Sequence, residues 1–188
     1  KRSLPMSSIE DIVNAYGKSI VLIKTDRGMG SGFVVSSDGL ILTNSHVISG
    51  SGTISIKFIA DNRVYSNVKV IKDNTIRDLA LLKINDAGSF IPVVLGDSAQ
   101  VSVGQRVVAI GNPQGLENTV SDGLVSAIRD VSGTSLLQIS VPISAGSSGG
   151  ALFNMNGEVI GVSSASYKEG QNLNFAVPID YAKKELLP

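Results

Sequence analysis

A histidine, an aspartate and a serine-glycine run are the residues of this chain best suited to chemistry. His46 is the only imidazole among 188 residues; Asp78 follows it, and Ala145-Gly146-Ser147-Ser148-Gly149-Gly150 follows Asp78. A serine hydroxyl is a poor nucleophile near neutral pH until an imidazole takes its proton and a carboxylate holds that imidazole in the right tautomer. Glycines beside the serine let backbone N–H groups approach a developing oxyanion, where a Cβ would obstruct the turn. Each piece also has an ordinary use: histidine at a surface, aspartate in a turn, a Gly-Ser run as a linker. The apolar runs Leu136–Val141 and Ala151–Phe153 on either side of the glycines argue against a linker.

The surrounding pattern predicts a frame of short strands. Ser7 and Ser8 stand three residues ahead of Glu10 and Asp11, and Ile9, Ile12, Val13 and Tyr16 fall at helical spacing, so a helix is expected over about 8–17. From there the period shortens. Apolar β-rich runs begin at Ile20, Gly32, Leu40, Thr53, Val64, Leu79 and Gln105, punctuated by turns such as Asp26-Arg27-Gly28 and Ser36-Ser37-Asp38-Gly39. A second series covers Leu116–Ser121, Gly123–Ile128, Leu136–Ser140, Ala151–Phe153, Val159–Ser164 and Asn174–Val177, and a closing helix is expected over about 179–187. Many short strands between Gly and Asp turns mean an all-β barrel or sandwich. Gly88 and Pro92 mark 84–95 as the place where one lobe gives way to the next. On this reading His46 closes one strand, Asp78 opens another and Ser148 sits on a turn between two more, where loops on a rigid frame carry chemistry.

Composition narrows the classes. Hydrophobic residues make up 43% and charged residues 17%, enough apolar content for a packed core. Sixteen Lys and Arg balance sixteen Asp and Glu, so no basic excess is present to neutralise phosphates and no nucleic-acid partner is expected. The Lys183-Lys184 pair reads as a solvated helix face. Cysteine is absent, which removes disulfides, thiol catalysis and Cys-ligated zinc. No apolar run reaches the roughly twenty residues of a membrane-spanning helix. The chain begins at Lys1 and reads as an excised domain, with any signal or tether expected in sequence before it.

Five motifs in order resemble the HtrA/Deg family of trypsin-like serine proteases. They are Gly30-Ser31-Gly32-Phe33 with Asp38-Gly39-Leu40-Ile41-Leu42-Thr43-Asn44-Ser45-His46-Val47-Ile48; Asp78-Leu79-Ala80-Leu81-Leu82-Lys83-Ile84; Gly111-Asn112-Pro113-Gln114-Gly115-Leu116 with Thr119–Ala127; Gly146–Leu152; and Leu173–Pro178. The resemblance covers the chain from about residue 17 to its end. The order His, Asp, Ser is that of chymotrypsin-type enzymes.

The resemblance implies a chymotrypsin/trypsin-like pair of six-stranded β-barrels, at about 18–86 and 93–178, flanked by short N- and C-terminal helices and forming one protease domain over 1–188. It implies His46 as general base, Asp78 as its orienting partner, Ser148 as nucleophile, and the N–H groups of Gly146 and Ser148 as the oxyanion hole. Ser163 is aligned as a support for Asp78. It implies no metal or organic cofactor, and unfolded or damaged polypeptides as substrates. An extracytoplasmic location follows from it, with an organellar lumen as the alternative. Relatives form trimers through N-terminal segments, and the stripe Ile9, Ile12, Val13 and Tyr16 serves either such a homotrimer or this domain's own barrel. Ser147 departs from the family, which has Asn just before the nucleophile; that position contributes mainly backbone, so activity should survive.

The substrate pocket is expected from Pro142 and Ile143 before the nucleophile and from Ser163, Ser164 and Ala165 (to Ser166) with 174–176 opposite. No acid lies between Val131 and Phe153, so a basic side chain finds no counter-charge there. Ile143 and Phe175, pointing inward, would make the pocket short and apolar and favour cleavage after Val, Ala, Ile or Leu. Two other readings remain beside the enzyme: a non-catalytic polypeptide binder on the same fold, and a resting protease whose loops reorder before use.

Overall fold

A computed structural model describes residues 8–112, 118–165 and 173–188. Helix α1 (Ile9–Tyr16) starts on Ser8, whose hydroxyl accepts the Asp11 N–H at 3.1 Å. Its apolar stripe lies on the protein's own core: Ile12 is fully buried, and Tyr16 stacks on Phe153 with ring centroids 5.7 Å apart. The first sheet contains β1 (Ile20–Thr25), β2 (Gly28–Val34), β3 (Leu40–Thr43), β4 (Ile54–Phe58), β5 (Val64–Tyr65), β6 (Val68–Asn74) and β7 (Leu79–Ile84), with α2 (Ser45–Ile48) after β3. Its order is β5-β4-β1-β2-β3-β7-β6, all antiparallel. β4 and β6 touch across the remaining seam, without a ladder among the described residues.

The second sheet contains β8 (Val94–Leu95), β9 (Arg106–Gly111), β10 (Thr119–Val131), β11 (Thr134–Ile139), β12 (Ala151–Asn154), β13 (Glu158–Ser164) and β14 (Asn174–Pro178), followed by α3 (Ile179–Glu185). Here the order β12-β9-β10-β11-β14-β13 closes through a β12–β13 ladder into a six-stranded barrel, and β8 adds a two-residue parallel strand to β13. The architecture is a trypsin-like double β-barrel. The run expected from Val64 is two strands, β5 and β6, and β8 is too short to stand out in the sequence. The two strands expected over Leu116–Ser121 and Gly123–Ile128 are one: Gly123 pairs with Val107 within an unbroken ladder, and a register shift between Val125 and Ala127 supplies the bend. Leu116 lies outside the described residues, as do Pro113, Gln114, Gly115 and Ser166.

Strands buried on both faces explain the near-continuous apolar runs. Along β7, Ala80, Leu82 and Ile84 fill the first barrel, while Leu79 and Leu81 join a cluster that also holds Val108, Ile110, Phe153 and Val177 of the second sheet. Alternate residues of one strand thus feed two cores, as the two-residue repeat requires. Each fully buried Leu or Ile contributes about 1.5–3 kcal/mol. The shared cluster seats the two barrels against each other and so sets the distance between the loops at their junction.

Candidate active site

Asp78 lies at the entry to β7 with φ of 55°, a left-handed conformation that costs a non-glycine residue energy and persists where neighbours over-determine it. Here they do. Asn44 Nδ2 donates to the Asp78 carbonyl at 2.9 Å, and the Arg77 N–H donates to Asn74 Oδ1 at 3.0 Å. The Arg77 guanidinium lies 4.0 Å over the Tyr181 ring and donates to Thr134 Oγ1 and the Gly133 carbonyl, tying this turn to the second sheet and α3.

His46 sits in α2, one short turn after β3, and not on the strand end as its sequence neighbours suggest. The α2 turn aims both its backbone and its ring at one carboxylate. His46 Nδ1 lies 2.8 Å from Asp78 Oδ2 and 3.0 Å from Oδ1, and the His46 backbone N–H donates to Oδ1 at 2.9 Å. The Ser164 hydroxyl donates to Oδ2 at 3.0 Å. Burial works against the charge on Asp78, but the His46 ring, its backbone N–H and Ser164 outweigh it and hold the carboxyl below the usual aspartate range. With Nδ1 on Asp78, Nε2 is the ring nitrogen left for the cleft; the side chain is 37% exposed.

Ser148 lies on the 144–150 turn between β11 and β12 and is almost fully buried. The turn is held by Ser147 N–H to Ser144 O and Gly150 N–H to Ser147 O, both 3.0 Å, and by Gly149 N–H to Ser163 O, 2.8 Å. Gly146 and Gly149 both have φ of 90°. A Cβ on Gly149 would also collide with the Ser31 carbonyl, so glycine is required there. Among the described residues, the N–H groups of Gly146 and Ser148 donate to no protein atom. The Ser148 hydroxyl accepts the Ala165 N–H at 2.9 Å, and no hydrogen bond joins it to His46 among the described residues. His46 and Ser148 nevertheless line one cleft of about 350 Å³ with Arg27, Met29, Val47, Gly146 and Ala165.

Two smaller cavities flank the segment before Ser148. One, of about 280 Å³, is lined by Ile143, Ser144, Ala145, Ser164, Ala165, Leu173 and Asn174, with no charged group among the described residues. The other, of about 220 Å³, takes Pro142 and Ser163 along with Ile143, Ser144 and Ser147. Three sequence expectations therefore change. Ser164, not Ser163, bonds Asp78; the Ser163 hydroxyl is buried and has no hydrogen-bond partner among the described residues. Pro142 lines the cavity of about 220 Å³ and not the one that Ile143 shares with Ala165 and Asn174. Phe175 packs in the core shared by the barrels, because alternation along β14 turns it away from the side on which Asn174 lines the pocket. The sequence reading missed Asn44, Arg77 and Leu173. Asn44 and Leu173 stand inside motifs already singled out, whereas Arg77 carries no signal without the fold.

Two curled antiparallel barrels, with a His–Asp pair from one and a glycine-flanked serine turn from the other, define the trypsin-like peptidase class. A family model described as a trypsin-like peptidase domain matches residues 30–162, and the chain belongs to that family. Within that family the chain is similar to HhoA and DegP-like serine proteases. It is 37% identical over 184 residues to a putative serine protease HhoA of Synechocystis sp., covering 89% of this chain and 45% of that protein. It is 42% identical over 164 residues to a probable periplasmic serine endoprotease DegP-like of Halomonas elongata, and 44% over 168 residues to one of Pseudomonas fluorescens. Each of those two alignments covers 83% of this chain and 34% of the relative. The chain thus spans less than half the length of these relatives.

Proposed function

We propose that this domain is a serine endopeptidase cutting unfolded or damaged polypeptides through an acyl-enzyme on Ser148, with His46 as general base and Asp78 as its orienting partner. The observation that carries this reading is the His46 ring held by both carboxylate oxygens of Asp78, at 2.8 and 3.0 Å, on the wall of the cleft that holds Ser148. The reaction begins with the Ser148 hydroxyl exchanging the Ala165 N–H for His46 Nε2. Its proton passes to Nε2 as Oγ attacks the scissile carbonyl carbon, and the oxyanion is received by the N–H groups of Gly146 and Ser148. His46 then returns the proton to the leaving amine, and water, activated by the same imidazole, hydrolyses the ester.

The uncharged cavity that Ile143 shares with Ala165 and Asn174 supports a preference for small or medium aliphatic residues on the acyl side. Ile143 and Leu173 give it an apolar lining, and no acid is there to pair with Lys or Arg. An extracytoplasmic location is supported by the periplasmic names of the DegP-like relatives. No described helix is long and apolar enough to cross a membrane. Of the α1 stripe, Ile12 is buried in the protein's own core, and Ile9, Val13 and Tyr16 are partly buried against it.

A peptidyl phosphonate with Val at its reactive position tests the reading. One adduct per chain, mapped by mass to Ser148 and accompanied by loss of casein cleavage, is the expected result. An adduct on Ser147, or casein held without cleavage and without an adduct, overturns it; the second outcome would make the domain a polypeptide binder.

A further inference from the structure

We infer that Ser31, a residue of the first barrel, is a positioning residue for the oxyanion hole of the second. The inference rests on the reading of Ser148 as nucleophile. Ser31 is completely buried, and all of its polar groups are engaged. Its hydroxyl donates to the Gly146 carbonyl at 2.6 Å and accepts the Asn112 N–H at 2.8 Å. Its backbone N–H donates to the Ser148 carbonyl at 2.8 Å, and its carbonyl accepts the Thr43 hydroxyl at 2.7 Å. One side chain and one peptide group therefore grip the nucleophile turn on both sides of Ser147.

The grip matters because Gly146 is free to move. At φ of 90° it occupies a region open to glycine, and glycine crosses to other regions at little cost. Its N–H, a proposed oxyanion donor, and its C=O are linked through the same φ, ψ pair. Fixing the carbonyl against the first barrel anchors the peptide plane that follows Gly146, and so one end of the φ, ψ pair that sets the direction of the N–H. No other hydrogen bond to the Gly146 carbonyl is present among the described residues. Asn112 feeds the same point: its side chain donates to the Val21 carbonyl at 3.0 Å and accepts the Asn118 N–H at 3.0 Å, so the Ser31 hydroxyl is itself held from the β9–β10 connection.

The test compares wild type with Ser31→Ala and Ser31→Thr, using a Val-containing peptide substrate and a peptidyl boronate that forms a tetrahedral adduct. Removing one oxyanion donor costs about 10²–10³ in kcat, so loosening one through Ser31→Ala should cost about 10- to 100-fold, with KM within about twofold. Boronate affinity should fall by the same factor. Ser31→Thr keeps the hydroxyl and should recover kcat to within about threefold of wild type. A structural role would instead lower the unfolding temperature and reduce turnover only in proportion to the folded fraction, with boronate affinity per folded molecule unchanged; that result overturns the inference. So does a Ser31→Thr variant no better than Ser31→Ala. If Ser31→Ala does not fold, Ser31→Cys carries the test: its weak S–H donor should leave kcat clearly reduced at unchanged KM, and wild-type kcat overturns the inference. A wild type that neither turns over nor takes the phosphonate at Ser148 overturns the functional reading and this inference with it. An active wild type with an indifferent Ser31→Ala overturns this inference only.

Discussion

In the first barrel, the Asp78 carboxylate receives the His46 ring, the His46 backbone N–H and the Ser164 hydroxyl, while Asn44 holds its carbonyl. In the second, the Ser148 hydroxyl accepts the Ala165 N–H, and among the described residues no hydrogen bond joins it to His46. The His46–Asp78 half of the proposed site is assembled; the Ser148 half is held mainly through backbone groups of its turn. The difference follows from the carriers. Asp78 immediately precedes β7 and His46 lies in α2, one short turn after β3, and the ladder Thr43↔Ala80 between those strands brings them together. Ser148 stands in a seven-residue turn held by glycines and by contacts from the other barrel, and such a turn can rotate a side chain without disturbing a ladder.

Removing the proposed nucleophile gives the largest effect. Ser148→Ala should reduce peptide turnover by about 10⁴-fold or more, while unfolding shifts by about 1 kcal/mol or less. Ser147→Ala, which loses only a 3.3 Å contact with Ser144, should keep turnover within about threefold. The reverse outcome for the pair would move the nucleophile to Ser147.

Breaking the assembled half comes next. Asp78→Asn should lower kcat by about 10³–10⁴-fold, because an amide cannot stabilise the imidazolium and favours the wrong tautomer. Its stability effect has a definite sign. The folded-state pKa of Asp78 is depressed, so its contribution is complete above the unfolded aspartate value of about 3.9 and is lost as pH falls through the folded value. Unfolding curves should show wild type more stable than Asp78→Asn at neutral pH, with the gap closing only below about pH 4. A gap that closes between about pH 5 and 8 would point to a histidine and not to Asp78.

A pocket change is smaller. Ile143→Ala should raise cleavage after Phe relative to Val by about tenfold, within the 1–3 kcal/mol that pocket methylenes discriminate. Casein cut chiefly after Lys or Arg, by either form, would sink the aliphatic assignment.

The smallest effect sharpens the comparison most. Ser164→Ala removes one bond to Asp78 and should lower kcat/KM by about three- to tenfold. Ser163→Ala removes a buried hydroxyl with no hydrogen-bond partner among the described residues and should change neither turnover nor stability by more than about 0.5 kcal/mol. Equal losses at the two positions would contradict the hydrogen-bond geometry at Asp78.

Local patterns were legible wherever backbone period and turn chemistry agree. Ser8 and Gly17 bracket α1, β7 runs over Leu79–Ile84, and the glycines around Ser148 demand a turn that other residues cannot make. One imidazole leaves no rival to His46, whereas the choice of Asp78 among the acids and of Ser148 over Ser147 rests on the motifs that resemble the HtrA/Deg family. Relations between strands far apart in sequence were not legible. Whether Ser163 or Ser164 meets Asp78 depends on which face of β13 turns to the first barrel, and a one-residue change in register reverses it. Phe175 is apolar in the pocket and in the core alike, and only β14's place beside β11 and β13 assigns it to the core. The grip of Ser31 on Gly146 spans 115 residues and exists because one apolar cluster seats the two barrels together. Strand period is written in neighbouring residues, whereas the packing that brings two barrels into contact is a property of the whole chain.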